Sequence, residues 1–209
     1  MTKPVVFVIN GPRRSGKDTA ATAMADAAVK LNAGRWHVLP IITRCKLGTL
    51  ERYGLDPALL DIYEHMKDEP LDVFMGMSFR QAVIAYSAEM KAKHGDAVWI
   101  ETWQVEAKTL FDLGMAQAVV VPDCRFMIEL MAAMTVTPAV LLYRVYRTEK
   151  MQHDGNAWAD DIGSWLFPEL FDVRQVALLN TGPIDDLRYV AWSTAIHYYR
   201  SIQRATASV

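Results

Sequence analysis

Short unbroken apolar runs alternate along this chain with longer stretches of helical spacing. Pro4–Ile9 reads PVVFVI, a continuous, mostly β-branched run of the kind buried on both faces of a sheet. Further runs of this type lie at Val38–Ile42, Ala116–Val121, Ala139–Tyr143 and Val176–Leu179. Between and after them, apolar residues recur at three- and four-residue intervals over about 16–31, 56–66, 79–93, 98–113 and 184–204, which predicts helices. Strands separated by helices of this length predict an α/β fold with a parallel five-stranded sheet in three layers. Neither an internal repeat nor a Pro/Gly/Ser-rich linker divides the chain. The expectation is one domain over 1–209, with a helical region at about 40–113 and a polar, lid-like excursion at about 144–172.

The break after the first run carries the strongest chemistry. Gly11-Pro12-Arg13-Arg14-Ser15-Gly16-Lys17-Asp18-Thr19 fits G-x-x-x-x-G-K, directly after a buried strand and opening a helix. Glycines let the backbone curl so that successive N–H groups point at phosphate oxygens, and the helix N-terminus adds partial positive charge. Lys17 then reaches the β/γ-phosphates. Asp18 stands where the motif normally has the Ser or Thr that holds Mg²⁺, so Asp18, Thr19 or both are candidates for the metal. Such a site also needs an acidic residue at the end of a neighbouring strand. Val119-Val120-Val121-Pro122-Asp123 supplies one, with a helix N-cap as the plainer role for Asp123. Arg125, two residues on, is a candidate contact to the transferred phosphate.

Composition narrows the class. Apolar residues make up 52% of the 209, which excludes a disordered chain, and a formal net charge of −2 excludes a generally basic nucleic-acid coat. Cys45 and Cys124 lie far apart and form no disulfide framework or metal-ligand spacing, and MTKPVVFVIN lacks a signal-peptide core. No segment has the length of apolar residues needed to span a bilayer. A cytoplasmic protein without a membrane partner is expected, with a dimer among the oligomeric states left open.

GPRRSGKDTAA, VVVPDCRF, LLYRVYR and the late Leu179-Asn180-Thr181-Gly182 together resemble bacteriophage deoxynucleoside monophosphate kinases and their P-loop relatives, in which Asp likewise follows the loop lysine. The resemblance implies a nucleotide-kinase fold using ATP and Mg²⁺, with Gly11 to Thr19 at the triphosphate, Asp123 as acidic partner and Asn180 near the donor base. It weakens around Phe79-Arg80-Gln81, where the Arg is kept and the Leu-Gly-Thr of kinases acting on free monophosphates is lost. Some phage relatives phosphorylate 5-hydroxymethyluracil within DNA, and that acceptor is placed slightly ahead of a free deoxynucleoside monophosphate.

The residues that bear on the acceptor are scattered. Positions 27–50 hold Lys30, Arg35, Arg44 and Lys46 beside Trp36 and His37, with no Asp or Glu, a pattern suited to a phosphate or a nucleic-acid backbone or, as readily, to a solvated face. Arg44, Arg80, Arg144 and Arg147 are the candidate acceptor clamps, since guanidinium groups bind phosphate oxygens bidentately. Thr148 to Asp172 has no Arg and six carboxylates, an unusual lid for a doubly charged acceptor. A hydroxyl acceptor would profit from a base, for which Glu89, His94, Asp96 and Glu101 are candidates. Trp99 and Trp103 share a helix face as a core stripe or a stacking platform, and Met127, Met131 and Met134 read as a core stripe. A P-loop protein that binds nucleotide and only switches is the reading from a different class.

Overall fold

In the computed structural model, which describes residues 2–12, 15–146 and 173–207, the predicted parallel sheet is present. Val5–Asn10 forms β1, and residues 5–9 are wholly buried, as a two-sided apolar run requires. The other strands are β2 (Trp36–Val38), β3 (Ala118–Val121), β4 (Val140–Tyr146) and β5 (Arg174–Leu179). They lie in the order β2-β3-β1-β4-β5, and every pairing is parallel. The register sets Val8 opposite Val121 and Asn10 opposite Arg144. β1 and β3 therefore end side by side, and their connections leave in opposite directions, to β2 and to β4. That is the switch point where open α/β sheets bind ligands.

The chain divides into two compact units, residues 1–40 with 104–209, and residues 41–103. In the first, α1 (Lys17–Lys30) and α7 (Ile184–Ala207) cover one face of the sheet. Alternation along β1 sends Val5, Phe7 and Ile9 into this layer, where they join Met24, Trp36, Tyr143, Leu187 and Tyr199. Small residues on α1 (Ala20, Ala21, Ala27, Ala28) let the two helices approach closely. On the other face α6 (Met127–Val136) packs against β1, and Gln104 donates to the Ala132 carbonyl.

The second unit contains α2 (Thr43–Arg52), a 3-10 turn at Pro57–Leu59, α3 (Leu60–His65), α4 (Phe79–His94) and the start of α5 (Val98–Asp112). It has its own core of Leu50, Phe74, Phe79 and Ala82, with the Tyr53 and Tyr63 rings edge-on to Phe74. Ser78 begins α4 with a reciprocal cap: its hydroxyl accepts from Gln81 N–H, and the Gln81 side chain accepts from Ser78 N–H.

Two sequence expectations need correcting. The second strand lies at Trp36–Val38, not Val38–Ile42. Leu39 N–H still donates to Val120, but Pro40 has no N–H, so the ladder stops there. Residues 41 and 42 instead lead into α2, a polar helix that the apolar pattern did not announce. The methionine stripe of α6 is not core: Leu130, Ala132 and Ala133 are buried, whereas Met131 is 46% exposed. Trp99 and Trp103, by contrast, are both buried, and Trp99 donates to Ser87 Oγ, so neither is a stacking platform. No described helix is long and apolar enough to cross a membrane.

Candidate active site

The turn from β1 into α1 is built around two glycines. Gly16 sits at φ +101°, a left-handed conformation that opens α1 with its N–H groups facing outward. A Cβ there would also lie 2.6 Å from a Leu187 methyl and 3.0 Å from Asn180 Nδ2. At Gly11 a Cβ would meet the Val145 carbonyl at 2.5 Å. Ser15 is buried, and its hydroxyl has no hydrogen-bond partner among the described residues. A buried orphan hydroxyl placed between Gly11 and Gly16 in the chain is a feature that a phosphate oxygen would satisfy.

Lys17 is the first residue of α1 and only 9% exposed. Its ammonium donates to the carbonyls of Gly11 (2.8 Å) and Pro12 (2.6 Å), which holds it inside the loop. Burial, and next the Arg125 guanidinium, lower its pKa to about 8, while Asp18 and Asp123 pull it back up. Asp18, Asp123 and Arg125 thus lie within electrostatic range of the Lys17 ammonium, where β1 and β3 end side by side.

Asp123 lies four residues before α6, so it is not the cap of that helix. The loop that carries it is anchored from two sides. Asn10 Nδ2 donates to the Cys124 carbonyl, and the Glu129 carboxylate accepts from the N–H groups of Arg125 (2.5 Å) and Phe126 (2.9 Å). Burial raises the pKa of Glu129, and nearby Asp123 adds to the rise. Glu129 was not singled out from the sequence. The available signal was an acidic residue in the first turn of α6, in the position that accepts from the N–H groups ahead of the helix. Glu129→Ala leaves two N–H groups without an acceptor and is expected to cost about 1–3 kcal/mol of stability and at least about tenfold in turnover. Glu129→Gln keeps an acceptor oxygen and is expected to restore most of both. Thermal melts and turnover of the two variants check this.

Asn180 is spent on the loop itself: its side chain donates to Ser15 O (2.7 Å) and its N–H to Tyr146 O. Thr19, the third residue of α1, is half-buried, and Asp18 is exposed. Magnesium asks for a few hard oxygen donors and keeps several waters. The two carboxylates of Asp18 and Asp123, both within electrostatic range of Lys17, and the Thr19 hydroxyl are donors of the type it takes. The described residues hold no group of three or more His, Cys, Asp or Glu, but a metal arriving with phosphates needs only one or two protein carboxylates.

The acceptor candidates do not gather in the same way. Arg144 lies within β4, between Asn10 of β1 and Ala177 of β5. Arg44 is exposed in the first turn of α2, and Arg80 is paired with Asp68 at 2.6 Å, both in the second unit. Arg13, Arg14, Arg147 and the acidic lid segment lie outside the described residues. The basic stretch 27–50 is not one surface element: it straddles the two units, Trp36 stacks on Phe7 in the core, and Lys46 pairs with Glu64. Glu89 is hydrogen-bonded to Arg52, which lowers its pKa and disfavours it as a base. His94, Asp96 and Glu101 are exposed.

No family model matches this sequence, and no curated protein does. Among solved structures the chain is similar to a sugar kinase from Janibacter sp. HTCC2649, with a TM-score of 0.49 and 13% identity over 92% of this chain and 98% of that one. It is also similar to a protein named as a kinase, from Chloroflexus aurantiacus, with a TM-score of 0.47 and 15% identity over 94% and 97%. Likeness at this level leaves the activity to be argued from the residues themselves.

Proposed function

We propose that this protein is an ATP-dependent phosphotransferase of nucleotide-kinase type acting on a deoxypyrimidine acceptor. The observation that carries the reading is buried Lys17, held by the Gly11 and Pro12 carbonyls at the switch point of the sheet, with Asp18, Asp123 and Arg125 within electrostatic range of it. Phosphoryl transfer needs little covalent work from the protein; it needs positioning and charge neutralisation. The loop N–H groups and Lys17 hold the phosphates, Arg125 offers a second cation, and Asp18, Thr19 and Asp123 would hold Mg²⁺. Bound there, the metal would supply positive charge to offset the charge that develops on the transferred phosphate.

For the acceptor, the loss of the Leu-Gly-Thr segment after Arg80 and the arginine-poor stretch 148–172 favour the 5-hydroxymethyl group of deoxyuridine in DNA over a free phosphate. The core position of Trp36 and the ion pair of Lys46 remove the basic stretch 27–50 as a support for either acceptor, and the free deoxynucleoside monophosphate stays as the alternative. γ-Labelled ATP offered with each decides between them. Label in acid-insoluble DNA, only when 5-hydroxymethyluracil is present, supports the first; label in soluble diphosphates supports the second. No label on either acceptor would sink both.

The lowered pKa of Lys17 gives a further test. With a pKa of about 8, the empty loop is about half deprotonated at pH 8 and fully charged at pH 6.5. Bound phosphates favour the ammonium, so nucleotide binding should take up about half a proton at pH 8 and almost none at pH 6.5. Affinity accordingly falls as pH rises through 8 to 9. Calorimetry in buffers of different ionisation enthalpy reads the uptake, and its persistence in Lys17→Met would assign it elsewhere.

A further inference from the structure

α7 runs for 24 residues, and part of its surface forms a second constellation away from the phosphate loop. A groove of about 360 Å³ runs between Leu31, just after α1, and a face of α7 bearing Tyr189, Trp192, His197, Arg200 and Arg204. A second cleft of about 400 Å³ adjoins it, sharing Arg200 and Arg204 and reaching Thr2, Asn32 and Gln117. The residues lining both include two arginines and a histidine and no carboxylate. Arg200 makes no ion pair or hydrogen bond with the described residues. At one end of the groove Trp192 and Tyr189 meet edge-to-face, with ring centroids 5.2 Å apart.

We infer that this groove is a second binding site, for a nucleoside triphosphate, with the base against Trp192 and the phosphates at Arg200 and Arg204. Trp192 and Arg200 are eight residues apart on one helix, about 12 Å at 1.5 Å per residue, which matches the reach of a nucleotide from base to phosphates. An indole offers a flat apolar surface for a base, and guanidinium groups bind phosphate oxygens bidentately. The volume falls within the range of small-ligand sites, roughly 300–1,000 Å³. The site is distinct from the phosphate loop: α1 begins at Lys17 and ends beside the groove, a span of about 21 Å. Both sites touch the same two helices, since Leu187 of α7 lies against Gly16 while Arg200 lies at the groove.

Equilibrium dialysis of the full chain against labelled ATP with Mg²⁺ tests the assignment. Two ATP molecules per chain are expected. Lys17→Met should remove one, Arg200→Glu should weaken the other at least tenfold, and the double variant should retain neither. Because Arg200 is exposed, its variant should melt with the wild type. Inorganic triphosphate should displace the groove-bound molecule, and adenosine should not. A single ATP per wild-type chain, or a second one that survives in Arg200→Glu, overturns the inference. So does Arg200-dependent retention of a single-stranded oligonucleotide without a second ATP, which would make the face a nucleic-acid surface. Failure of the phosphate-loop reading would show separately, as Lys17→Met leaving the stoichiometry unchanged.

Discussion

Lys17→Met is expected to lower phosphoryl transfer about 100- to 1,000-fold, the usual consequence of removing one preorganised group from the developing charge of a transition state. The substitution keeps most of the unbranched stem, one atom shorter, and removes the charge and its donors. In the empty protein the ammonium is a burden: burial lowers its pKa to about 8, so part of the cost of desolvating it is carried by the fold. The linkage has a definite sign. A lysine with a depressed folded-state pKa binds fewer protons than the unfolded chain between about pH 8 and pH 10.4, so stability rises with pH across that window. The apo variant should therefore melt at or above the wild-type temperature at pH 7, while ATP no longer raises its melting point. A variant that lost activity because it unfolded would show a lower apo melting temperature instead.

Gly16→Ala should be the second severe change, and for a different reason. The residue sits at φ +101°, where a side chain costs about 1–2 kcal/mol. The added methyl would also press on Leu187 at 2.6 Å and on the Asn180 amide at 3.0 Å. Leu187 can swing away, but the Asn180 amide is held to Ser15 O and its backbone to Tyr146 O. Relief therefore comes at the expense of the loop's clamp. A loss of about 2–4 kcal/mol in stability and at least a 100-fold loss in ATP affinity are expected. Chemical denaturation and calorimetry read these separately. Gly54→Ala serves as the control, since it also has a positive φ but open space around it.

What could be read from the sequence follows from how tightly physics constrains each residue. The turn from β1 into α1 was legible because its backbone requires glycine at fixed points and a lysine opens the helix. β1, β3 and the first half of β4 were legible because strand segments buried on both faces read as unbroken apolar runs, whereas Arg144 and Tyr146 carry β4 beyond its run. β2 was misplaced because apolar residues 41 and 42 belong to the entry of a helix, and only the missing N–H of Pro40 marks where pairing stops. The Met127, Met131 and Met134 spacing suggested a buried stripe, yet α6 presents Leu130, Ala132 and Ala133 to its neighbours. Its sequence is apolar on all sides, so periodicity alone does not say which face is covered.

The site shows the same division. Asp123 and Arg125 stood out by their place after an apolar strand. Glu129 did not, because its work is done through backbone N–H groups of residues 125 and 126, which leave no pattern in the side chains. Asn180 stood out near the donor base by resemblance alone; its hydrogen bond to Ser15 O left no mark in the sequence. The ion pairs that engage Arg80, Lys46 and Glu89 depend on partners 12 to 37 residues away, which no local pattern could supply.

The most direct test of the central claim follows the γ-phosphate. Purified protein, Mg²⁺ and γ-labelled ATP are mixed with deoxynucleoside monophosphates and with DNA carrying 5-hydroxymethyluracil, and label is counted on acceptor and in inorganic phosphate. A phosphotransferase puts most of the label that leaves ATP onto an acceptor, and Lys17→Met removes that transfer. Label found solely as slowly released inorganic phosphate, whatever acceptor is present, would contradict the account and mark the chain as a nucleotide-binding switch.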